Sequence, residues 1–437
     1  MNGFAPLPVF AAIDWADAGW TVLIASLANV SCALLGCHLV LRRMSLLGDT
    51  ISHAVLPGIV VAALLTGRIA GLPILAGAAV IGLMTVVLLR LLQGKGQVPE
   101  DAGMGVLFTS FFSLGVILLT QFAGNVDLDT ECVLYGEILS VPQDVVLIGG
   151  QEIPRALLSL GPVFVLTVGF VTLFWKELKL LAFDPALTEA LGFSPTMLHY
   201  VFMGMVSVVV VASFEAVGSI LVIAMLIVPA ATAQLLTDRL KLMLGWAAAG
   251  GVLAAVLGYA GALYWNTSAA GMMAVAAGVQ FVLALVFGPY GMLARGVRGL
   301  RFRLRILRED VLAAVYRAEE VQGPNTGLSL AECAEIVHGG RLFWLTMPWL
   351  LRKNSFEMRQ GRLTLTDQGR RRAQSLVRSH RLWEAYLQQH FEMPLDHLHY
   401  AASRAEHYIG PRLQEELAAE LATPPRDPHG REIPPAQ

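Results

Sequence analysis

Long apolar stretches alternate with short polar loops over about the first 300 residues of the chain. A helix needs roughly 20 residues to cross the hydrocarbon core of a bilayer, and the stretches are about that long. The pattern predicts an all-α polytopic membrane protein with about nine crossings, of which the second and sixth are the weakest. The predicted spans are 20–40, 54–65, 70–92, 103–122, 156–175, 198–213, 216–236, 242–265 and 270–289.

Basic residues recur after every second predicted span. Short loops rich in lysine and arginine remain in the cytoplasm, so this spacing predicts an N-terminus outside and a C-terminal region in the cytoplasm. An odd number of crossings agrees with that orientation. We expect a multi-pass protein of a bacterial-type inner membrane. The basic groups are Arg42 with Arg43, Arg90 with Lys95, Lys176 with Lys179, Arg239 with Lys241, and Arg295, Arg298 and Arg301.

Composition agrees with a membrane protein, because 55% of the residues are hydrophobic and 15% are charged, with a mean hydropathy of +0.61. Soluble domains are less apolar. A net charge of -2 gives no sign of a nucleic-acid partner. The four cysteines form no CxxC pair, which argues against a disulfide framework.

The sequence has no phosphate loop, nucleophile elbow or HExxH motif. We therefore expect no enzyme active site, and any ATP hydrolysis would be on a separate chain.

Asp49 and His53 are the main candidates for metal binding in the membrane region. Their i, i+4 spacing puts a carboxylate and an imidazole one turn apart on one helix face, where both can contact one cation. Ionisable groups inside a span are costly unless they are paired or face a wet cavity. Pro57 and Gly58 interrupt the same span. The alternative is structural, with Asp49 capping the helix and His53 bonding a neighbouring helix.

Two further membrane features are candidates for function. Glu215, at the junction of the sixth and seventh spans, either lines a translocation path or caps a helix. The acidic segment 127–153, around a predicted short helix at 133–139, resembles a re-entrant or lid element outside the membrane.

A short cytoplasmic helix is predicted between the fifth and sixth spans, at 183–195. Asp184 suits its N-cap, Pro185 its first helical position and Gly192 its C-terminal stop. We expect this helix to be a docking element.

The region from residue 301 onward reads as a separate soluble part. Its helices, followed by a hairpin that runs into another helix, have a winged-helix order. The predicted domains are 1–300, 301–366 and 367–437. The predicted tail elements are helices at 309–320, 329–337 and 345–353, a hairpin at 356–365, and helices at 367–391, 395–408 and 411–422.

Histidines and carboxylates are phased along two of these tail helices. His380 and Glu384 are spaced i, i+4, and four more residues fall on one predicted helical stripe. Mixed nitrogen and oxygen ligands suit a first-row divalent ion. A solvated polar face is the alternative. The four residues on the second stripe are His399, Ser403, Glu406 and His407.

The segment RRMSLLGDTISHAVLPGI resembles the permease subunits of ABC importers for manganese, zinc and iron. The resemblance continues through VPEDAGMGVLFTSFFSLGVILL, DLDTECVLYGEIL, FDPALTEALGFSP and AVGSILVIAMLIVPAATAQLLTDRL, and covers nearly all of residues 15–295. It implies a dimeric core formed with a second copy or a paralogue, an ABC ATPase and an extracytoplasmic metal-binding protein. Asp49 and His53 would be pathway ligands, and the ATPase would dock around Asp184, Pro185, Glu189, Ala190 and Gly192.

From about residue 308 to 434 the tail resembles iron- and manganese-dependent repressors of the DtxR/MntR type. The segments that carry this are REDVLAAVYRAEE, LTLTDQGRRRAQSLVRSHRLWEAYL, LHYAASRAEHYI and DPHGREIP. The resemblance implies a metal-binding and dimerisation domain with two metal positions. Ser403 departs from the pattern, since a Cys or Glu is expected there. One position corresponds to His380, Glu384 and His399, and the other to Asp310, Ser403, Glu406 and His407.

The expected DNA-reading helix departs further, because GGRLFWLTMPWLLRKNSF carries bulky apolar side chains and Pro348, which is expected to break or kink it. This argues against base readout.

From the whole sequence we expect a permease subunit of an ATP-driven importer of divalent metal, with Mn²⁺ first and Zn²⁺ or Fe²⁺ as other candidates. Its tail would bind Mn²⁺, Fe²⁺ or Zn²⁺, sense cytoplasmic metal and restrain transport. One alternative is a membrane-tethered, metal-dependent transcription regulator, and another is a tail that only dimerises.

Overall fold

The computed structural model describes residues 15–44, 46–67, 72–94, 96–122, 138–148, 150–338, 340–351, 354–391, 394–422 and 426–436. The chain divides into two compact units, Met1–Ala294 and Arg295–Gln437, and each is described here by itself. The further division of the second part at residue 366 stays a prediction.

The first unit is almost entirely helical, and eight helices of the described chain are long and apolar enough to cross a membrane. The helices are α1 (Trp15–Leu41), α2 (Leu46–Ala54), α3 (Leu56–Thr66), α4 (Leu72–Gly94), α5 (Glu100–Phe122), α6 (Arg155–Leu173), α7 (Trp175–Phe183), α8 (Pro185–Ala190), α9 (Pro195–Val217), α10 (Ser219–Leu236), α11 (Leu240–Trp265) and α12 (Ala269–Phe287).

Every predicted span coincides with one of these helices, or with α2 and α3 together, and this confirms a polytopic helical membrane protein. The eight include α2 with α3 as one stretch, and the apolar part of α10, Leu221–Leu236, is shorter than the others. The count of nine crossings stays a prediction.

The acidic segment predicted as a lid is described only in its second half. Residues 123–137, with most of the predicted helix at 133–139, lie outside the described residues. The described half contains an antiparallel hairpin of β1 (Val145–Ile148) and β2 (Gln151–Pro154), which the sequence pattern did not predict.

Close helix contacts in this unit depend on glycine. A Cβ on Gly36 of α1 would lie 1.8 Å from the carbonyl oxygen of Leu226 in α10. On α3 and α4, a Cβ on Gly58 would meet the Gly77 carbonyl oxygen at 2.3 Å, and one on Gly77 would meet the Gly58 carbonyl oxygen at 2.5 Å. In lipid, such small residues let helix backbones approach and pack. The packing holds α3, which follows Asp49 and His53, directly against α4.

The second unit combines helices with a small antiparallel sheet, whose strand order is β3-β5-β4. The hairpin was predicted, whereas the short strand β3 was not. The elements are α13 (Met292–Gln322), β3 (Leu328–Ser329), α14 (Leu330–Ile336), α15 (Gly340–Leu351), β4 (Phe356–Arg359), β5 (Arg362–Leu365), α16 (Asp367–His390), α17 (Leu395–Ala405) and α18 (Pro411–Glu420).

The expected break at Pro348 is wrong, because α15 continues past it to Leu351. A proline removes only the hydrogen bond to the residue four positions earlier, here Trp344, and three residues follow before the helix ends. Phe343 and Met347 anchor α15 in the core, while Trp344 and Leu345 are exposed. The winged-helix assignment and the absence of base readout stay predictions.

Candidate metal sites

The interrupted membrane segment brings Asp49 and His53 together as predicted. Both lie on α2, with His53 Nε2 3.5 Å from Asp49 Oδ1. The side chains are 22% exposed for His53 and 44% for Asp49, so both are open to an ion. Helix α2 ends at Ala54 and α3 begins at Leu56, with Val55 between them. A carboxylate and an imidazole therefore face a common point beside a helix discontinuity.

The ring of His53 is bounded on one side by aromatic groups of α5. Its centroid lies 5.1 Å from Phe108 and 5.9 Å from Phe112, both in edge-to-face contact. These apolar rings leave the Asp49 side as the polar side of His53. Pro57 adds a second effect, because it lacks an N–H and cannot donate the helical hydrogen bond to the His53 carbonyl. That oxygen is a further potential ligand in the same segment.

Glu215 lies near the C-terminal end of α9, which stops at Val217. Gly218 follows with a φ of 78°, a left-handed conformation suited to glycine. The side chain of Glu215 is outside the described part of the structure. Its role stays a prediction.

The predicted docking helix is α8. The Asp184 side chain accepts a hydrogen bond from the Leu187 N–H at 2.9 Å, and Pro185 is the first helical residue. Gly192 ends the turn with a φ of 87°. Thr188 is buried, whereas Glu189 and Ala190 are exposed. Large apolar side chains of this segment are exposed, at 59% for Phe183, 44% for Leu187 and 56% for Leu191.

One cluster in the tail brings three ligand atoms to a single point. His380 Nε2, Glu384 Oε1 and His399 Nδ1 form a triangle with every side 3.0 Å. Neighbouring ligands about 2.1 Å from an octahedral ion are separated by about 3 Å, so this spacing suits a small divalent cation. His429 Nε2 lies 3.8 Å from the same carboxylate oxygen. Sequence reasoning had not assigned His429 to this site.

A second cluster joins α13 to the 3-10 turn Glu406–Tyr408. His407 Nε2 lies 3.2 Å from Asp310 Oδ1 and 4.0 Å from Glu406 Oε1. The other ring nitrogen, Nδ1, is 2.8 Å from Glu309 Oε2. A carboxylate on the second nitrogen orients an imidazole ligand. Glu309 is thus a positioning residue for His407, and the spacing of residues in sequence gave no sign of it.

The single helical stripe predicted for 399–407 is wrong. Helix α17 ends at Ala405, and Glu406 and His407 lie on the tighter 3-10 turn. Ser403 donates a hydrogen bond to the His399 carbonyl at 2.5 Å and lines the same cavity as Asp310 and His407, so its place at the second metal position stays a prediction. Glu406 instead contacts both clusters, because its Oε2 lies 2.5 Å from His380 Nδ1. The two clusters therefore share one carboxylate.

The protonation states follow from these contacts. Burial opposes protonation of His407, but hydrogen bonds to Asp310 and Glu309 outweigh it and raise its pKa to about 9. Burial likewise opposes ionisation of Glu384, yet hydrogen bonds from His380 hold its pKa near 2. Hydrogen bonds to Glu384 and Glu406 also raise the pKa of the buried His380. His407 therefore holds a proton at neutral pH that a divalent cation can replace.

A cavity of about 770 Å³ reaches both clusters, and its lining includes His399, Asp310, Glu406 and His407. Imidazole nitrogens and carboxylate oxygens at these spacings fit a first-row divalent ion. The donor set therefore supports metal binding by the tail.

Residues 18–288 match the ABC 3 transport family. The chain belongs to this family. Its relatives include the manganese transport system membrane protein MntD of Bacillus subtilis, which is 47% identical over 286 residues, covering 65% of this chain and 97% of that protein. A solved structure, PsaBC from Streptococcus pneumoniae in complex with Fab, has a TM-score of 0.55 at 29% identity, covering 64% of this chain and 94% of the other. This member of the ABC 3 transport family is a multi-pass membrane protein.

The tail of this ABC 3 family member has a match of its own. Residues 366–435 match the metal binding and dimerisation domain of iron dependent repressors. The zinc transport system membrane protein TroD of Treponema pallidum is 39% identical over 357 residues, covering 80% of this chain and 95% of that protein. Because the first unit ends at residue 294 of 437, about 67% of the chain, this similarity extends into the second unit.

Proposed function

We propose that this chain is the permease subunit of an ATP-driven importer of divalent metal ions, with Mn²⁺ as the first candidate and Zn²⁺ or Fe²⁺ as the others. The observation that carries the proposal is the Asp49–His53 pair, 3.5 Å apart on an interrupted apolar segment. Its relatives include manganese and zinc transport system membrane proteins, which supports the same substrate class.

Asp49 and His53 would act as transient ligands for the passing ion. A carboxylate and one imidazole, with the His53 carbonyl as a further potential ligand, supply fewer ligands than a resident metal site usually has. Incomplete coordination suits a cation that must leave as readily as it enters. The flanking Phe108 and Phe112 rings add no ligand, and they limit the polar path to the Asp49 side of the imidazole.

Energy for transport would come from a separate ATPase chain docked on α8. The exposed Phe183, Leu187 and Leu191 offer an apolar contact surface next to a helix fixed by its Asp184 cap. Asp184, Pro185, Glu189, Ala190 and Gly192 form the coupling segment in this proposal. An extracytoplasmic metal-binding protein would deliver the ion. The core would pair with a second copy or a paralogue, with the N-terminus outside and the tail in the cytoplasm.

The test is metal accumulation in cells that depend on this permease, measured by elemental analysis. Asp49→Ala and His53→Ala variants, present in the membrane at the wild-type amount, should lose most Mn²⁺ accumulation. Asp101→Ala is the matched control, because this exposed acid lies in the first turn of α5 and not on the interrupted segment that carries the pair. Accumulation by both variants at the control level would rule out the pathway assignment.

The tail would act as a sensor that restrains transport when cytoplasmic metal is plentiful. The support is the shared carboxylate of Glu406, which links two clusters of metal-ligand type on the same chain as the permease. Metal at one cluster would change the charge and orientation of a ligand of the other. The two clusters would then respond together.

Feedback predicts a specific difference between tail variants. Glu384→Ala and His407→Ala chains should continue to import metal when cytoplasmic Mn²⁺ is high, whereas the wild type slows. His390→Ala is the control, since this exposed histidine of α16 bonds the Tyr386 carbonyl and lies in neither cluster. Equal slowing in all chains, and in a chain that lacks residues 305–437, would refute feedback.

A further inference from the structure

The first half of α13 concentrates positive charge. Between Met292 and Arg308 there are six arginines and no acidic residue, and the first acid of the helix is Glu309. Four of the arginines follow an i, i+3, i+7, i+10 spacing and therefore form one stripe. This stripe is Arg298, Arg301, Arg305 and Arg308. Arg295 lies to one side of it, and Arg303 lies on the opposite side of the helix.

A second stripe on the same turns is apolar. Leu293, Val297, Leu300, Leu304 and Leu307 are spaced four and three residues apart, which places them on one face. The stripe changes character along the helix, because Leu307 is buried in the core of the second unit. Leu293, Val297 and Leu300 are 56%, 41% and 51% exposed. The first turns of α13 thus present an exposed apolar face.

We propose that residues 292–308 form an amphipathic helix that binds the headgroups of anionic phospholipids at the membrane surface. Only residues 288–291 separate α13 from the apolar helix α12, so this segment begins next to the bilayer. Basic clusters beside a membrane span attract anionic lipid, and an adjoining apolar face inserts at the boundary of headgroups and acyl chains. Arg305 and Arg308 already bond Glu309 and Ser355, so the other arginines would contact lipid phosphates while Leu293, Val297 and Leu300 enter the interface.

The charge of residues 292–308 favours anionic lipid over a second copy of the chain as the binding partner of this segment. Two such helices side by side would bring arginines together with no acid among residues 292–308 to neutralise them. A few basic residues in a loop are enough to set the orientation of a membrane protein, and this basic segment is longer than that. Here the charge continues over four helical turns.

The test is lipid binding by the purified full chain in mild detergent, followed by titration with phosphatidylglycerol and with phosphatidylcholine. The variant Arg298→Gln, Arg301→Gln, Arg303→Gln should bind phosphatidylglycerol about tenfold to a hundredfold more weakly, since each arginine contributes roughly a fivefold preference. Its affinity for phosphatidylcholine should not change. A control with equal charge loss elsewhere on the tail should match the wild type: Arg359→Gln, Arg412→Gln, Arg426→Gln.

The apolar face has its own variant, Leu293→Ser with Leu300→Ser, which should weaken phosphatidylglycerol binding without any change of charge. Unfolding temperature in detergent checks that all variants fold. Several results would overturn the proposal. One is equal phosphatidylglycerol affinity in the test and control triples. Another is displacement of the lipid by millimolar inorganic phosphate. A third is a shift in oligomeric state, with lipid affinity unchanged, in the serine variant.

Discussion

Metal binding by the tail should release protons, and His407 is the main source. In the metal-free tail this imidazole is held between Asp310 and Glu309, which raise its pKa to about 9. It is therefore protonated at neutral pH. A metal ligand must be a neutral imidazole, so an ion can bind His407 only when the proton leaves. Raising the pH should strengthen metal binding.

The magnitude follows from that pKa. With a pKa of about 9, about one His407 in a hundred is neutral at pH 7, which costs roughly 2.7 kcal/mol of metal affinity at 1.36 kcal/mol per pH unit. Apparent affinity at this cluster should rise about tenfold per pH unit from 7 to 9 and then level off. The folding stability of the metal-free tail changes with pH in the opposite direction to its metal affinity. A raised pKa stabilises the fold below pH 6.5, and this stabilisation is lost as the pH rises to about 9.

Calorimetry measures the effect directly. The full chain in an Asp49→Ala background, which removes the proposed pathway ligand, is titrated with Mn²⁺ in two buffers of different ionisation enthalpy. Close to one proton should be released from His407 at pH 7. Glu309→Gln removes the positioning carboxylate without touching the proposed ligands, so it should lower the His407 pKa and reduce the release. An affinity independent of pH between 7 and 8.5, or equal release by both chains, would refute the reasoning.

Three other perturbations have definite expected outcomes. Gly77→Leu should destabilise the membrane unit by more than about 3 kcal/mol, seen as a lower unfolding temperature in detergent, because its Cβ would lie 2.5 Å from the Gly58 carbonyl oxygen. An unchanged unfolding temperature would contradict the packing. Leu187→Glu should abolish metal-stimulated ATP hydrolysis by the assembled transporter while the permease remains folded; full stimulation would exclude α8 as the docking helix. Glu384→Gln should weaken tail metal binding about 10-fold to 100-fold, measured by calorimetry, since Glu384 Oε1 closes the 3.0 Å triangle. Wild-type affinity would remove it from the site.

The membrane helices could be predicted because lipid imposes a simple rule. Every backbone polar group must be satisfied within the span, so a run of about 20 apolar residues has essentially one solution. The break at Val55 was likewise signalled by a local cause, Pro57. The capped helix α8 could be predicted from Asp184 and Pro185, because capping is a property of adjacent residues.

The missed features depend on contacts between residues distant in sequence. Glu309 bonds His407, which lies 98 positions away, and no periodic pattern connects them. The bridging position of Glu406 also needed the structure. A regular helix through 399–407 was expected, but the chain tightens into a 3-10 turn before α18, and this turn directs Glu406 toward His380. The strand β3 is only two residues long and exists through its pairing with β5.

ATP-driven uptake of radiolabelled Mn²⁺ into proteoliposomes that contain this permease with its ATPase tests the central claim most directly. The wild type should accumulate the ion only when ATP is supplied on the side of α8. Asp49→Ala with His53→Ala should reduce accumulation to the level without ATP, while Asp101→Ala retains it. Undiminished ATP-driven accumulation by the double variant would contradict the assignment of Asp49 and His53 to the metal path.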